Sequence, residues 1–170
     1  MTYPPRVADS LPEGYLLIGG PPDAEHYNRL RDLAGLGART PEQATAGLHG
    51  AWWALHIVDD AGIPVAMGRV LGDGGWYFHI IDMAVDPAHQ RRGLGAAVLD
   101  ALLTRIRDNA PPGAYVCLMA DEPGRHLYRS FGFEPSLPAS EGMKLVLKPL
   151  PGDAPPTYGL RTRERRWSSS

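Results

Sequence analysis

The stretch Gln90-Arg91-Arg92-Gly93-Leu94-Gly95-Ala96 decides the fold prediction, because it stands between an apolar strand pattern and an amphipathic helix pattern. The first turn of a helix binds phosphate through its unpaired backbone N–H groups and the positive end of the helix dipole. Gly93 and Gly95 lack side chains that would block a close approach, and Arg91 and Arg92 can add positive charge. The stretch therefore predicts an anion-binding turn between a strand and a helix.

Two common nucleotide-binding motifs fit this stretch poorly. A P-loop would need Gly-Lys-Ser/Thr at its end, and Gly93-Leu94-Gly95-Ala96-Ala97-Val98 lacks the third glycine of a dinucleotide fingerprint. For an isolated Gly-x-Gly, glycines that only allow tight packing at a helix start are the alternative. The elements on either side of the stretch decide between these interpretations.

The chain before the stretch carries three successive strand patterns separated by turn residues. They run from Ala51 to Val58, from Pro64 to Leu71 and from Trp76 to Val85. Short turns between neighbouring strands favour an antiparallel meander. Earlier still, we expect a short strand at Tyr15 to Ile18, a helix from Asp23 onward and a second helix after Thr40.

The chain after the stretch continues as a βαβ pattern. The expected elements are a helix from Leu94 to Ile106, a strand from Ala114 to Ala120, a short helix from Pro123 to Ser130 and a final strand around Met143 to Leu147. Residues 1–149 are therefore predicted to form one α/β (α+β) domain. The proline-rich and arginine-rich residues 150–170 are expected to form a solvated tail.

Composition and charge limit the classes of partner and compartment. The chain has 17 Lys and Arg against 19 Asp and Glu, and a net charge of -2 gives no basic field for nucleic acid. Cys117 is the only cysteine, which suits a reducing compartment, so we expect a cytoplasmic protein. We expect no membrane anchor, because no apolar run reaches the ~20 residues of a membrane span. The histidines form no zinc motif, so we expect no metal.

With the glycine stretch and its flanks in view, the chain resembles the GCN5-related N-acetyltransferase (GNAT) superfamily. Gln90, Gly93 and Gly95 match the family signature Gln/Arg-x-x-Gly-x-Gly/Ala. The segment from Ile81 to Pro87 resembles the family's fourth strand, and Leu127 to Phe133 resembles its later Tyr-x-x-x-Gly-Phe element. The resemblance implies a mixed, mainly antiparallel central sheet flanked by helices, with acetyl-coenzyme A bound where a strand, loop and helix meet.

The resemblance also implies the residues that bind the coenzyme. The amides of the glycine stretch are expected to hold the pyrophosphate, and a bulge near Met83 and Ala84 is expected to open the sheet for the pantetheine arm. Asp121 stands where many relatives have an asparagine, and an ionised aspartate accepts but cannot donate a hydrogen bond. The predicted coenzyme-binding residues are Met83, Ala84, Val85, Gln90, Arg91, Arg92, Gly93, Leu94, Gly95, Ala96, Asp121 and Arg125.

Transfer of an acetyl group to an amine calls for a base and an acid. Tyr128 matches the family's general-acid tyrosine, and the alternative is a tyrosine that only packs beside Phe131 and Phe133. His79 lies where several branches of the family carry a glutamate base; a water relay is the alternative. Asp82 should point away from His79 on a regular strand, unless the bulge reorients one of them. We expect Cys117 to be a buried, inert thiol.

The acceptor is the least specified part of the prediction. We expect the primary amine of a small molecule, with a protein or peptide amine as the alternative. Five aromatic residues of the meander, Trp52, Trp53, Trp76, Tyr77 and Phe78, are expected to lie mostly in the core, although some could line an acceptor pocket. A noncatalytic sensor of acetyl-coenzyme A is a further alternative, and homodimers are common in the resembled family.

Overall fold

The computed structural model describes residues 11–147, and within them a five-stranded sheet forms the centre of the protein. The strands are β1 (Leu16–Gly19), β2 (Trp53–Val58), β3 (Pro64–Gly72), β4 (Tyr77–Val85) and β5 (Tyr115–Leu118). Strands β1 to β4 form an antiparallel meander, and β5 pairs with β4 in parallel. The predicted mixed, mainly antiparallel sheet is thereby confirmed.

Helices cover both faces of this sheet. They are α1 (Ala24–Leu33), α2 (Pro41–His49), α3 (Leu94–Asn109) and α4 (Arg125–Ser130). Asp23 caps α1 by accepting from the His26 amide, and Thr40 and Gln43 form a capping box on α2, which explains why both helices begin where the sequence predicts. The predicted element order from β1 to α4 is correct, with ends that differ by a few residues.

Helix α3 packs on the opposite face of the sheet from α1 and α2. Its apolar side builds the main core with Phe78, Ile80 and other residues of β2 to β4, whereas Tyr27 and Leu30 of α1 pack on Met67 and Ala84. Burial of apolar side chains on both faces stabilises the layered arrangement. Strand β4 therefore lies between two packed layers, and its alternating residues face different helices.

A β-bulge interrupts β4 near its end. Met67 pairs with Ala84 while Arg69 pairs with Ile81, so Asp82 and Met83 together stand opposite the single residue Gly68. Asp82 adopts a left-handed conformation with φ of 56°. A Cβ on Gly68 would lie only 2.7 Å from Met83 Sδ and 2.8 Å from Val98 Cγ1, so glycine is required for α3 to pack against this bulge. The predicted bulge near Met83 is thus present.

The strand predicted around Met143 to Leu147 is wrong. These residues form no strand, and the side chains of Met143, Leu145 and Leu147 are between 83% and 93% exposed. Alternating apolar residues give a strand only where a sheet edge pairs with their backbone. The sheet edge nearest to these residues is β5, which has only four residues. The side of β5 that faces away from β4 pairs with no strand among residues 11–147.

Two predictions about the ends of the chain and the membrane need separate statements. The domain boundary predicted after residue 149 and the tail at 150–170 lie outside the described residues. Within 11–147, no helix is long and apolar enough to cross a membrane.

Candidate functional site

The candidate site begins where β4 and β5 part. The two strands pair only from Tyr77 to Ile80, after which β4 continues along β3 as far as Val85. Beyond Ile80, the edge of β4 that faces away from β3 has no strand partner among residues 11–147. Its backbone groups can therefore pair with an extended ligand, as they would with another strand. The predicted residues Met83, Ala84 and Val85 all lie on this part of β4.

The glycine stretch forms a tight turn directly after this open edge. A short 3₁₀ turn (Pro87–His89) precedes it, and the Gln90 Nε2 donates to the carbonyl oxygen of Val85 at 3.2 Å. Arg91 and Gly93 both adopt left-handed conformations, with φ of 61° and 82°. For an arginine this conformation costs about 1–2 kcal/mol. These left-handed residues bend the backbone of the turn so that its N–H groups can converge. The sequence could not predict this conformation at Arg91.

The N-terminus of α3 is suited to an anion. Helix α3 begins at Leu94 without a side-chain cap and without an acidic residue in its first turn. Backbone N–H groups in such a turn attract negative charge. A Cβ on Gly95 would lie 3.5 Å from Leu127 Cδ2 and 3.6 Å from Val85 Cγ2, so it would occupy space between β4 and α4. The turn therefore fits a phosphate, and Gly95 keeps the adjoining gap open.

Arg92 connects the turn to the chain segment before β1. Its Nη1 donates to the Tyr15 hydroxyl at 2.9 Å, and the Tyr15 hydroxyl lies 2.9 Å from His89 Nδ1. Arg91 and Arg92 are both exposed, so their charge is available at the mouth of the turn. The contact with Tyr15 spans 77 positions of sequence, and no local pattern could have predicted it.

His79 lies in the paired part of β4, with its imidazole beside a thiol. Its Cα partner on β5 is Cys117, and the two side chains meet with 3.3 Å between Nδ1 and Sγ. The same sulfur lies 3.2 Å from the Tyr77 hydroxyl. Burial lowers the pKa of His79 below its usual value of 6.5. His79 is therefore neutral near pH 7, as a general base must be.

Tyr128 lies on α4, half-buried, and its ring packs against Gly124. A Cβ on Gly124 would lie 2.8 Å from Tyr128 Cε2, so any side chain there would displace the ring. Burial raises the pKa of Tyr128 above 10.0, and the negative charge of Asp121 adds to this shift. The phenol therefore keeps its proton at neutral pH, as a general acid must.

His79 and Tyr128 line one open cavity of about 1070 Å³. Cys117 and Arg125 line it too, and the Arg125 Nε donates to the carbonyl oxygen of Ala120 at 3.5 Å. Asp121 is exposed and makes no capping hydrogen bond to the turn that follows it. The structure thus brings the two predicted catalytic residues to the same space.

Asp82 belongs to a different cluster. It accepts from the Tyr27 hydroxyl at 2.8 Å and from the guanidinium groups of Arg31 and Arg69. Tyr27 belongs to α1, which packs on the sheet face opposite α3, so Asp82 points to that face. His79 points there too, because its neighbours Phe78 and Ile80 face α3. The bulge has therefore reoriented Asp82 relative to a regular strand. Both of its carboxylate oxygens accept hydrogen bonds in this cluster, so the contacts favour a structural role for Asp82 over that of a second base.

The structure corrects the expectation of a buried Cys117, whereas the expectation that the aromatic residues lie mostly in the core holds for Trp52, Trp53 and Phe78. Cys117 is only half-buried and touches two polar groups, so it is not an isolated core thiol. Trp76 and Tyr77 are 62% and 41% exposed and lie beside Tyr115, which stacks on Tyr77 with 5.6 Å between ring centres. The pairing of β5 with β4 creates both groupings, and the sequence gives no sign of that register.

Among residues 11–147, no group of three or more His, Cys, Asp or Glu side chains is placed to hold a metal ion. The expectation that the chain uses no metal stays a prediction.

Comparison with known proteins identifies the family of this architecture. The model of the acetyltransferase (GNAT) domain matches residues 51–135, from just before β2 to just after α4. A probable acetyltransferase of unknown function from methicillin-resistant Staphylococcus aureus is 34% identical. Its structure superposes with a TM-score of 0.74, over 78% of this chain and 99% of that one.

Two further relatives show how far the likeness extends. Serotonin N-acetyltransferase 2, chloroplastic, from rice is 35% identical over 92 residues, which are 54% of this chain and 45% of that protein. The match thus spans less than half of the rice protein. A GNAT-family protein from Streptococcus pneumoniae is 22% identical with a TM-score of 0.65, over 79% of this chain and 99% of that one. That second likeness supports the fold alone.

Proposed function

This chain belongs to the GNAT family of acetyltransferases, and we propose that it transfers an acetyl group directly from acetyl-coenzyme A to the primary amine of a small molecule. One observation carries the proposal. His79 and Tyr128 line one cavity beside β5 and α4, and their pKa values shift in the directions that a base and an acid need.

The donor would bind along the open edge of β4 and the turn after it. The uncapped N-terminus of α3 would hold the pyrophosphate, with the charges of Arg91 and Arg92 at its mouth. The backbone groups of Met83 and Val85 that face away from β3 would pair with the amides of the pantetheine arm, and Gln90 would release the Val85 carbonyl oxygen that it now holds. The Met83 N–H would then face the thioester carbonyl and stabilise the oxyanion that forms during attack.

The transfer itself needs two proton movements. The neutral amine attacks the thioester carbonyl carbon, forming a carbon–nitrogen bond as the carbon–sulfur bond breaks. His79 accepts the proton that the amine nitrogen loses, and Tyr128 donates its proton to the departing thiolate sulfur. The ammonium form of the amine has no lone pair and cannot attack, so only the neutral amine reacts and loses its proton to His79 as or after the bond forms. Exchange with solvent then removes the proton from His79 and restores the one on Tyr128.

The acceptor would approach over the aromatic residues at the start of β4 and β5. Tyr77 and Tyr115 line the same cavity as His79, and the exposed Trp76 ring lies beside both of them. Flat rings favour stacking with an aromatic group. The match to a serotonin N-acetyltransferase supports an amine of this kind. We therefore propose an amine joined to an aromatic ring by a short chain.

An amine panel tests this proposal. Release of free thiol from acetyl-coenzyme A would be followed with serotonin and tryptamine, with alkyl amines of equal chain length, and with a peptide carrying a lysine. Aromatic amines should give the highest kcat/KM, and mass spectrometry should find the acetyl group on the primary amine. Faster acetylation of the peptide would contradict the proposal for a small-molecule acceptor.

A Tyr128→Phe variant distinguishes an enzyme from a sensor. The variant should bind the coenzyme with unchanged affinity while kcat falls about 10²-fold, because the leaving thiolate loses its proton donor. Isothermal titration and steady-state kinetics measure the two quantities. Unchanged turnover would remove Tyr128 from the mechanism.

A further inference from the structure

Three side chains form a hydrogen-bonded row across β4 and β5. Tyr77 and His79 are two apart on β4, so they project from the same face of the sheet, and Cys117 stands opposite His79 on β5. The Cys117 sulfur lies 3.2 Å from the Tyr77 hydroxyl and 3.3 Å from His79 Nδ1. The row is a product of the parallel register, because a shift by one residue would turn Cys117 to the other face.

The hydrogen bonds of this row can run in either of two directions, and each direction corresponds to one tautomer of His79. In one direction Tyr77 donates to the sulfur and Cys117 donates to His79 Nδ1, and in the other Cys117 donates its single proton to the Tyr77 oxygen. In the second direction the sulfur can only accept from His79, so the imidazole proton lies on Nδ1. In a neutral histidine this leaves the lone pair on Nε2, which is the nitrogen free to take a proton.

We infer that Cys117 is a positioning residue that holds His79 in the Nδ1–H tautomer and thereby keeps Nε2 ready as the proton acceptor. Tyr77 supports this arrangement by taking the thiol proton. The inference rests on the proposed role of His79 as the base. It assigns to a neutral thiol the task that a carboxylate performs for many catalytic histidines.

The tautomer of His79 can be read directly by nitrogen-15 NMR of the free protein. The unmodified chain should show a protonated Nδ1 and an unprotonated Nε2 for His79. In Cys117→Ala the population should shift toward the Nε2–H form, while Cys117→Ser should keep the Nδ1–H form because a hydroxyl can replace both contacts. In Tyr77→Phe the thiol proton loses its acceptor and can turn to Nδ1, so the same shift is expected with Cys117 intact.

Kinetics then connect the tautomer with catalysis. Cys117→Ala should lower kcat/KM roughly tenfold, less than loss of the base itself, and Cys117→Ser should recover to within about threefold. Leu16→Ala serves as the control, because this residue of β1 is 62% exposed and does not line the cavity. Thermal unfolding of each variant separates a local effect from a loss of fold.

The outcomes distinguish this inference from the proposed function. An unchanged His79 tautomer in both Cys117→Ala and Tyr77→Phe would overturn the positioning role, whatever the kinetics. A shifted tautomer with unchanged kcat/KM would overturn the role of His79 as the base and with it the catalytic importance of Cys117. A failure to find any amine substrate would contradict the proposed function, and the NMR result on Cys117 would still stand.

Discussion

Strand β4 carries two polar clusters only three residues apart, and they differ in almost every physical respect. Asp82 is held by two guanidinium groups and a phenol, and its side chain is only 8% exposed. His79 has only a weak contact with a thiol, and it opens onto a large cavity. Strong, saturated contacts hold a structure in place, whereas a weakly held group next to free space can exchange a proton. The comparison separates a group that holds the fold from one suited to chemistry.

Removal of the Asp82 charge is expected to have the largest effect. In Asp82→Asn the buried Arg31 and the partly buried Arg69 would lose their shared carboxylate, so the free energy of unfolding should fall by about 3–5 kcal/mol. Urea denaturation followed by circular dichroism measures it. Asp60→Asn is the matched control, because Asp60 is exposed and should change stability by less than about 0.5 kcal/mol. A small loss in Asp82→Asn would show that the cluster contributes little.

Removal of the His79 imidazole should affect catalysis and leave stability nearly unchanged. His79→Gln should reduce kcat/KM about 10²-fold because the amine loses its proton acceptor, while the free energy of unfolding stays within about 1 kcal/mol. Amine acetylation and urea denaturation of the same preparation test both parts. A large stability loss with normal turnover would reverse the proposed division between the two clusters.

The pH dependence of the reaction should report the same histidine. Burial lowers the pKa of His79, so kcat/KM should rise with pH through a value below 6.5 and level off at neutral pH. The folded protein then binds fewer protons than the unfolded chain between that pKa and 6.5, so His79 contributes stability that is lost as the pH falls through this interval. The acid limb of the rate profile should disappear in His79→Gln; its persistence there would assign the limb to another group.

A methyl group at Gly124 should give the smallest of these effects. Gly124→Ala would displace the Tyr128 ring, which lies 2.8 Å from the position of the new Cβ. We expect kcat to fall roughly fivefold, with KM for acetyl-coenzyme A unchanged, because the acid moves while the donor site keeps its shape. Steady-state kinetics test this; an equal loss in Gly124→Ala/Tyr128→Phe and in Tyr128→Phe alone would show that the methyl acts through the ring.

Local sequence patterns predicted most of the fold and part of the candidate site. Capping residues, turns and periodicity place α1, α2, β2 to β4 and α3, and the glycine stretch predicts the turn. The row formed by Tyr77, Cys117 and His79 depends on how β5 pairs with β4, which no local pattern encodes. The same reason explains the wrong strand at Met143 to Leu147, because alternation does not reveal whether an edge is available. The cytoplasmic location, the homodimer and the absence of nucleic-acid partners stay predictions.

Glycines at two positions would respond to mutation in different ways. Gly68 lies opposite the bulge, and a Cβ there would come within 2.8 Å of Val98 Cγ1 on α3. Any side chain at this position therefore conflicts with the fold itself. Gly95 would meet its neighbours at ordinary contact distance, so the fold tolerates alanine there while the gap beside it closes. A screen that selects folded protein would therefore retain alanine at position 95 and reject it at position 68. A second screen that selects binding of the donor would reject alanine at both positions.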